Sequence, residues 1–158
     1  LLTLIVGGIF ILKRDWYHTL LFLTVSVGGV ALNLILKLVF QRERPDGEVS
    51  YIEVFNMSIE IPSYSYPSGH TMRAAIFILF LIYLSLRYIM HAGMKIIVNT
   101  VLFLTLIGVA CSRLYVEAHF LTDTLGAIFI SLAWSSLCLL LFKRYDPSQR
   151  RTYFVIGK

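Results

Sequence analysis

The sequence contains little charge and almost no cysteine. Charged residues make up 15% of its 158 positions, where soluble domains carry roughly 25%. The two cysteines, Cys111 and Cys138, both fall inside apolar runs, which excludes a disulfide framework and predicts that both pack between helices. Hydrophobic residues are correspondingly frequent and make up 58% of the chain. This composition indicates an integral membrane protein.

The apolar runs predict an all-α bundle of membrane helices. Charged interruptions divide them into helices at about 1–13, 16–41, 70–91, 95–114 and 119–143. The sequence does not begin with Met, and its first run is too short for a hydrocarbon core of about 30 Å, which takes roughly 20 helical residues. We therefore expect a single membrane-embedded domain over 1–158, with five spans of an expected six and an N-terminal helix missing. The long connection 42–69 is expected to be functional.

Charged residues between the helices predict the orientation of the bundle. Connections after the first, third and fifth helices lie on one side and are mostly basic, with Lys13, Arg14, Arg87, Lys95, Lys143, Arg144, Arg150, Arg151 and Lys158 against Asp15 and Asp146. The positive-inside rule places this side in the cytoplasm and 42–69 outside. Topology then explains the formal net charge of +5, and no nucleic-acid partner is expected. We expect a multi-pass protein of a bacterial plasma (inner) membrane.

Polar residues on the predicted outer side form three groups, and the first two lie near the long connection. Lys37 and Arg44 are seven residues apart, which places both on one face if the second helix continues. Cations of this kind also coat helix ends by snorkelling. The second group is Pro67-Ser68-Gly69-His70, where glycine permits close backbone approach and a helix N-terminus offers N–H groups to an anion. The same residues are compatible with a helix cap and an interfacial histidine.

The third group lies around the start of the last predicted helix. His119 and Asp123 are four residues apart there, so that the carboxylate can orient the imidazole, and Arg113 upstream adds a permanently charged donor. A single pair of this kind is more often a stabilising contact. The three groups together supply cations, backbone donors and two histidines, which suits phosphoryl transfer. No group with metal-ligand spacing accompanies them, so we predict a metal-independent site without a cofactor.

With these residues the chain resembles the type 2 phosphatidic acid phosphatase superfamily, which includes bacterial phosphatidylglycerophosphate and undecaprenyl diphosphate phosphatases. Its three-part signature is matched by Lys37 with Arg44-Pro45, by Pro67-Ser68-Gly69-His70, and by Ser112-Arg113 with His119 and Asp123. The resemblance covers 37–123. It implies a six-helix bundle in which the five predicted helices correspond to the second through the sixth.

The resemblance also implies a role for each matched residue. His119 is expected to be the nucleophile that forms a phosphohistidine, Asp123 to hold its ring, and His70 to act as acid and then as base. The phosphoryl oxygens are expected to be held by the other matched residues, which are Lys37, Arg44, Ser68, Gly69 and Arg113. Nearby charged residues at variable positions of the signature are expected to be solvated or to face headgroups, namely Arg42, Arg73 and Glu117.

We therefore expect an enzyme that hydrolyses a membrane lipid phosphate or diphosphate of the phosphatidylglycerophosphate, undecaprenyl diphosphate or phosphatidic acid type. A lipid phosphotransferase would use the same intermediate with an acceptor hydroxyl in place of water. Soluble vanadium haloperoxidases share the anion site, but the spanning helices argue against them. A non-catalytic lipid-binding or transport protein would not need both histidines. Substrate choice is expected to lie in the 46–66 segment and between the helices. Within that segment, 51–66 is expected to be either an interfacial lid or a loose connector.

Overall fold

Helices make up most of the structure, a computed structural model that describes residues 2–45, 50–54, 57–61 and 64–146. They are α1 (Leu2–Leu12), α2 (Trp16–Phe40), α3 (Gly69–Tyr88), α4 (Ala92–Tyr115) and α5 (Leu121–Lys143). Within the described part of the chain, α2 to α5 are long and apolar enough to cross a membrane, and α1 is a shorter apolar helix. The predicted all-α architecture of a multi-pass membrane protein is confirmed.

The 42–69 connection contains a short hairpin that the sequence analysis did not predict. Strands β1 (Ser50–Val54) and β2 (Met57–Ile61) pair antiparallel. Such a hairpin satisfies many backbone N–H and C=O groups of the segment locally. Part of the predicted 51–66 lid lies outside the described residues.

Local signals explain where α2 begins and ends. Asp15 caps its start, and its carboxylate accepts from the backbone N–H of His18 (3.2 Å). At the other end Gln41 has a left-handed backbone (φ 45°, ψ 35°), which turns the chain out of the helix. Arg44 therefore lies beyond α2, and the continued helix that would place Lys37 and Arg44 on one face is not present.

The core lies between α2, α3 and α5. Its buried side chains include Leu21, Phe22, Met72, Ile76, Phe80, Ala127 and Cys138. Many large apolar side chains on the outer faces are exposed, as expected of helices that face lipid. Cys138 is buried as predicted, whereas Cys111 is exposed, so the packing prediction is wrong for Cys111.

Two polar clusters lie at opposite ends of the bundle. One is at the end of α2 and the starts of α3 and α5, and it contains the predicted site. At the other end, Arg87 donates two hydrogen bonds to Asp146 (2.5 and 2.7 Å) and joins the end of α3 to the end of α5. His18 is buried there between the carboxylate of Asp15 (2.7 Å) and the hydroxyl of Tyr88 (3.2 Å). This second cluster lies at the end of the bundle that the charge pattern predicts to be cytoplasmic.

Candidate active site

The turn from Pro67 to His70 leads directly into α3. Ser68 is buried, and its hydroxyl accepts from the backbone N–H (3.5 Å) and the hydroxyl (3.0 Å) of Thr71. The cap that the sequence allowed is therefore present. A hydroxyl that accepts hydrogen bonds still has one proton to donate, so capping α3 and binding a phosphoryl oxygen are compatible roles for Ser68.

Asn33 holds this turn from α2, and the sequence analysis missed it. Its buried side-chain amide donates to the carbonyl of Pro67 (3.1 Å). Its Oδ1 would stand 3.2 Å from a Cβ at position 69, so a glycine there fits the close approach. A polar amide within an apolar span was the available signal, because a buried amide needs partners.

Tyr66 fixes the segment just before the turn. Its ring packs against Phe40 at 4.8 Å between centroids. On another side it lies against Gly126 of α5, where a Cβ would stand 2.5 Å from the Cε2 atom of the ring. The absence of a side chain at position 126 thus lets Tyr66 reach α5 and places its neighbour Ser65 beside the start of that helix.

His119 and Asp123 are buried together at the start of α5. His119 is 5% exposed and lies just before the helix, and Asp123 is 0% exposed in its first turn. The Nδ1 atom of His119 lies 3.7 Å from Oδ2 of Asp123, which is too long for a hydrogen bond. The Ser65 hydroxyl bridges the two, since it lies 3.3 Å from Nδ1 and donates to Oδ2.

This bridge assigns the imidazole tautomer. A serine has one proton, and Ser65 gives it to Asp123, so its oxygen accepts from an N–H at Nδ1 of His119. The lone pair of the neutral imidazole is then on Nε2. Burial, followed by the positive charges of Arg44 and Lys37, lowers the pKa of His119 from 6.5, while the Asp123 carboxylate opposes them. The ring is therefore kept neutral, as a nucleophile requires.

Asp123 is also held by its other neighbours. The backbone N–H of Phe120 donates to Oδ2 (2.9 Å), and Arg42 forms an ion pair with Oδ1 (2.9 Å). The backbone carbonyl of Asp123 accepts from the N–H of Ser68 (3.1 Å). This last bond joins the turn before α3 to α5, so the turn and the His119–Asp123 pair form one unit.

Arg42 belongs to the site, so the prediction that it is solvated or faces headgroups is wrong. Besides its ion pair, it donates to the hydroxyl of Thr122 (2.6 Å), and its guanidinium lies over the ring of Phe120 at 4.2 Å from the centroid. Arg73 is exposed but donates from Nε to the carbonyl of Gly69 (3.2 Å), so it too adjoins the site. Glu117 is exposed, as predicted.

The cations of the signature converge on the two histidines. Lys37 donates from Nζ to the carbonyl of Tyr64 and lies within electrostatic range of Arg44 and Asp123. His70 is exposed and feels the charges of Arg113, Arg73, Arg44 and Lys37. The structure thus brings the predicted residues to one end of the bundle, namely Lys37, Arg44, Ser68, Gly69, His70, Arg113, His119 and Asp123.

A helical membrane protein with a buried neutral histidine among converging cations has the makeup of a phosphoryl-transfer enzyme. Residues 17–146 match the PAP2 superfamily, and the chain belongs to that superfamily. Phosphatidylglycerophosphatase B of Bacillus subtilis (strain 168) is 30% identical over 155 residues, which are 96% of this chain and 68% of the relative.

A solved structure shows the same likeness. The crystal structure of the first transmembrane PAP2 type phosphatidylglycerolphosphate phosphatase from Bacillus subtilis matches with a TM-score of 0.71 at 29% identity. The match covers 92% of this chain and 69% of that one. The predicted family is confirmed, and together these likenesses support a membrane phosphatase.

Proposed function

We propose that the protein hydrolyses the phosphate of a membrane lipid through a phosphohistidine at His119. The observation that carries the proposal is the buried His119, whose Nδ1 is engaged by Ser65 while Lys37 and Arg44 act on it electrostatically. The phosphatidylglycerophosphatase relative makes phosphatidylglycerophosphate the first candidate substrate. Residues 1–158 act as one membrane-embedded domain.

In the first chemical step Nε2 of His119 attacks phosphorus, and a P–N bond forms as the P–O bond to the lipid breaks. His70 protonates the departing oxygen, and its exposure lets it exchange protons with water. In the second step the now neutral His70 takes a proton from water, whose oxygen attacks phosphorus and breaks the P–N bond. Inorganic phosphate leaves, and both histidines return to their starting states.

The cations and the turn before α3 stabilise the charge on the phosphoryl oxygens. Side-chain donors come from Lys37, Arg44 and Arg113, and the Ser68 hydroxyl and the Gly69 N–H add two donors at the start of α3. Hydrogen bonds from such preorganised donors become stronger as negative charge develops on the phosphoryl oxygens in the transition state. Within the described residues no group of three or more His, Cys, Asp or Glu could hold a metal ion. Metal independence stays a prediction. In it, Lys37, Arg44 and Arg113 supply the positive charge that a metal ion would otherwise supply.

The site faces the outer side of the plasma membrane in this proposal. Support comes from the described basic residues near the opposite end, such as Lys13, Arg14 and Lys143, which the positive-inside rule assigns to the cytoplasm. The lipid then reaches the site from the outer leaflet.

The test is phosphate release from phosphatidylglycerophosphate, undecaprenyl diphosphate and phosphatidic acid in detergent with excess EDTA. We expect release from at least one lipid at the rate seen without EDTA. Activity that disappears in EDTA and returns with a divalent cation would contradict the metal-free mechanism. Release that requires an added alcohol acceptor would point to a phosphotransferase.

As the pH is lowered, activity is expected to decline only below the ordinary histidine pKa. His119 must be neutral to attack, and its lowered pKa keeps it neutral down to a pH below 6.5. On this acidic side of the pH profile, activity should therefore persist at pH 6.5 and fall as the pH drops through that lowered pKa. The measurement is kcat/KM for the best lipid across mildly acidic pH. Activity that already falls well above pH 6.5 as the pH is lowered would contradict the assignment.

Ser65→Ala is expected to lower kcat about 10- to 100-fold with little change in KM. Ser65 positions the catalytic pair, and a hydrogen bond to a charged group is worth about 1.5–3 kcal/mol. The acidic limb of the profile should move as well, because Ser65 accepts from the ring. Ser136→Ala, an exposed serine in α5, is the control and should match wild type. A change confined to KM would exclude the positioning role.

A further inference from the structure

A cleft of about 320 Å³ lies between α1, α2 and α3, and the proposed mechanism makes no use of it. Its walls are mostly apolar and include Val27, Val30, Ile76 and Phe77. Arg73 also lines it and brings a positive charge to this apolar space. The hydroxyl of Ser26, which lines the cleft too, has no hydrogen-bond partner among the described residues. An apolar cleft with a cation has the character of a site for an anionic amphiphile.

Arg73 connects this cleft to the phosphate-binding turn. Its Nε donates to the carbonyl of Gly69, and its Nη2 would stand 3.5 Å from a Cβ at that position. The Nε contact leaves the two terminal nitrogens of the guanidinium for a further acceptor, in the paired geometry that suits phosphate oxygens. The guanidinium is thus next to the place where the reacting phosphate binds.

Arg73 also lacks a counter-ion within the part of the chain that the structure describes. No carboxylate there forms a salt bridge with it, whereas Arg42 and Arg87 each pair with an aspartate. The neighbouring charges that act on His70 and Lys37 include Arg73 and are mainly positive. An unpaired cation among other cations at the edge of hydrocarbon is costly, and an anionic group would relieve that cost.

We propose that Arg73 and the cleft form a second subsite, which binds the phosphodiester and an acyl chain of the substrate while its phosphomonoester is at His119. This rests on the proposed function and deepens it. The preferred substrate is then a glycerophospholipid that carries a phosphomonoester one glycerol unit from its phosphodiester, as in phosphatidylglycerophosphate. Phosphatidic acid has a single phosphate and leaves Arg73 without a partner.

The test compares Arg73→Gln with wild type on phosphatidylglycerophosphate and phosphatidic acid of identical acyl chains. We expect kcat/KM for phosphatidylglycerophosphate to fall roughly 10- to 100-fold, mainly through KM, the loss typical of a charged hydrogen bond. For phosphatidic acid it should change by less than about threefold. Arg14→Gln, an exposed cation at the far end of the bundle, is the control and should leave both substrates unchanged.

A second variant tests the apolar part of the subsite. Val30→Phe fills part of the cleft and should raise KM for long-chain phosphatidylglycerophosphate more than for a short-chain analogue. An equal loss on both lipids in Arg73→Gln would show that Arg73 only supports Gly69 and would overturn the proposal, as would no loss at all. Release by the wild type from undecaprenyl diphosphate alone would overturn the subsite but not the proposed function, and release from none of the three lipids would contradict the proposed function itself.

Discussion

His119→Gln is expected to lower phosphate release by at least about 10⁴-fold, since loss of a nucleophile removes the covalent route altogether. Glutamine keeps a polar group of similar length near Ser65 and Asp123, which lie against the imidazole in the native site. It has no ring nitrogen to attack phosphorus. The measurement is release from the best lipid substrate in detergent, with EDTA present.

His91→Gln is the matched control for this prediction. His91 is exposed at the start of α4, away from the site, and its replacement should leave activity near that of wild type. Equal melting temperatures of the two variants would show that the loss is not one of folding. Activity of His119→Gln within about tenfold of wild type would exclude His119 as the nucleophile.

His70→Gln is expected to reduce lipid turnover by about 10²- to 10⁴-fold, the usual contribution of general acid–base catalysis. The size of the loss should depend on the leaving group. A lipid alkoxide needs a proton to depart, whereas nitrophenolate from p-nitrophenyl phosphate does not. The first turnover of that ester should therefore survive in the variant as a burst of nitrophenolate, followed by slow release of phosphate.

Pre-steady-state kinetics separates these steps. A burst in His70→Gln with a rate close to that of wild type is the expected result, because His70 is exposed at the edge of the turn and does not hold His119 in the described contacts. A burst slowed as strongly as lipid turnover would show that His70 binds or positions phosphate and does not donate the proton.

The helices were predictable because long apolar runs between charged interruptions have few alternatives in a membrane protein. The end of α2 was also predicted, at about residue 41 against the observed Phe40. The left-handed backbone of Gln41 was not, because side-chain-bearing residues seldom adopt it. The hairpin was missed because the strands Ser50–Val54 and Met57–Ile61 are short and lie in a segment assigned as loop. Alternation of apolar and polar residues in Met57–Ile61 was the available signal.

The site was predictable as far as the signature extends. The residues that orient it lie outside the signature or at its variable positions, and their partners are distant in sequence. Arg42 reaches Asp123 across 81 residues, Ser65 reaches it across 58, and Asn33 reaches Pro67 across 34. Such contacts depend on how the helices pack, and periodicity within one segment carries no information about them.

The central claim, a phosphohistidine at His119, is tested most directly by trapping it. p-Nitrophenyl phosphate labelled with radioactive phosphorus would be mixed with His70→Gln, in which nitrophenolate leaves without a proton while breakdown of the intermediate should be slow, and quenched in base within the first turnover. We predict label on the protein that is stable in base, is lost in acid and maps to the peptide containing His119. Phosphate release without such label, or label on another residue, would contradict the mechanism.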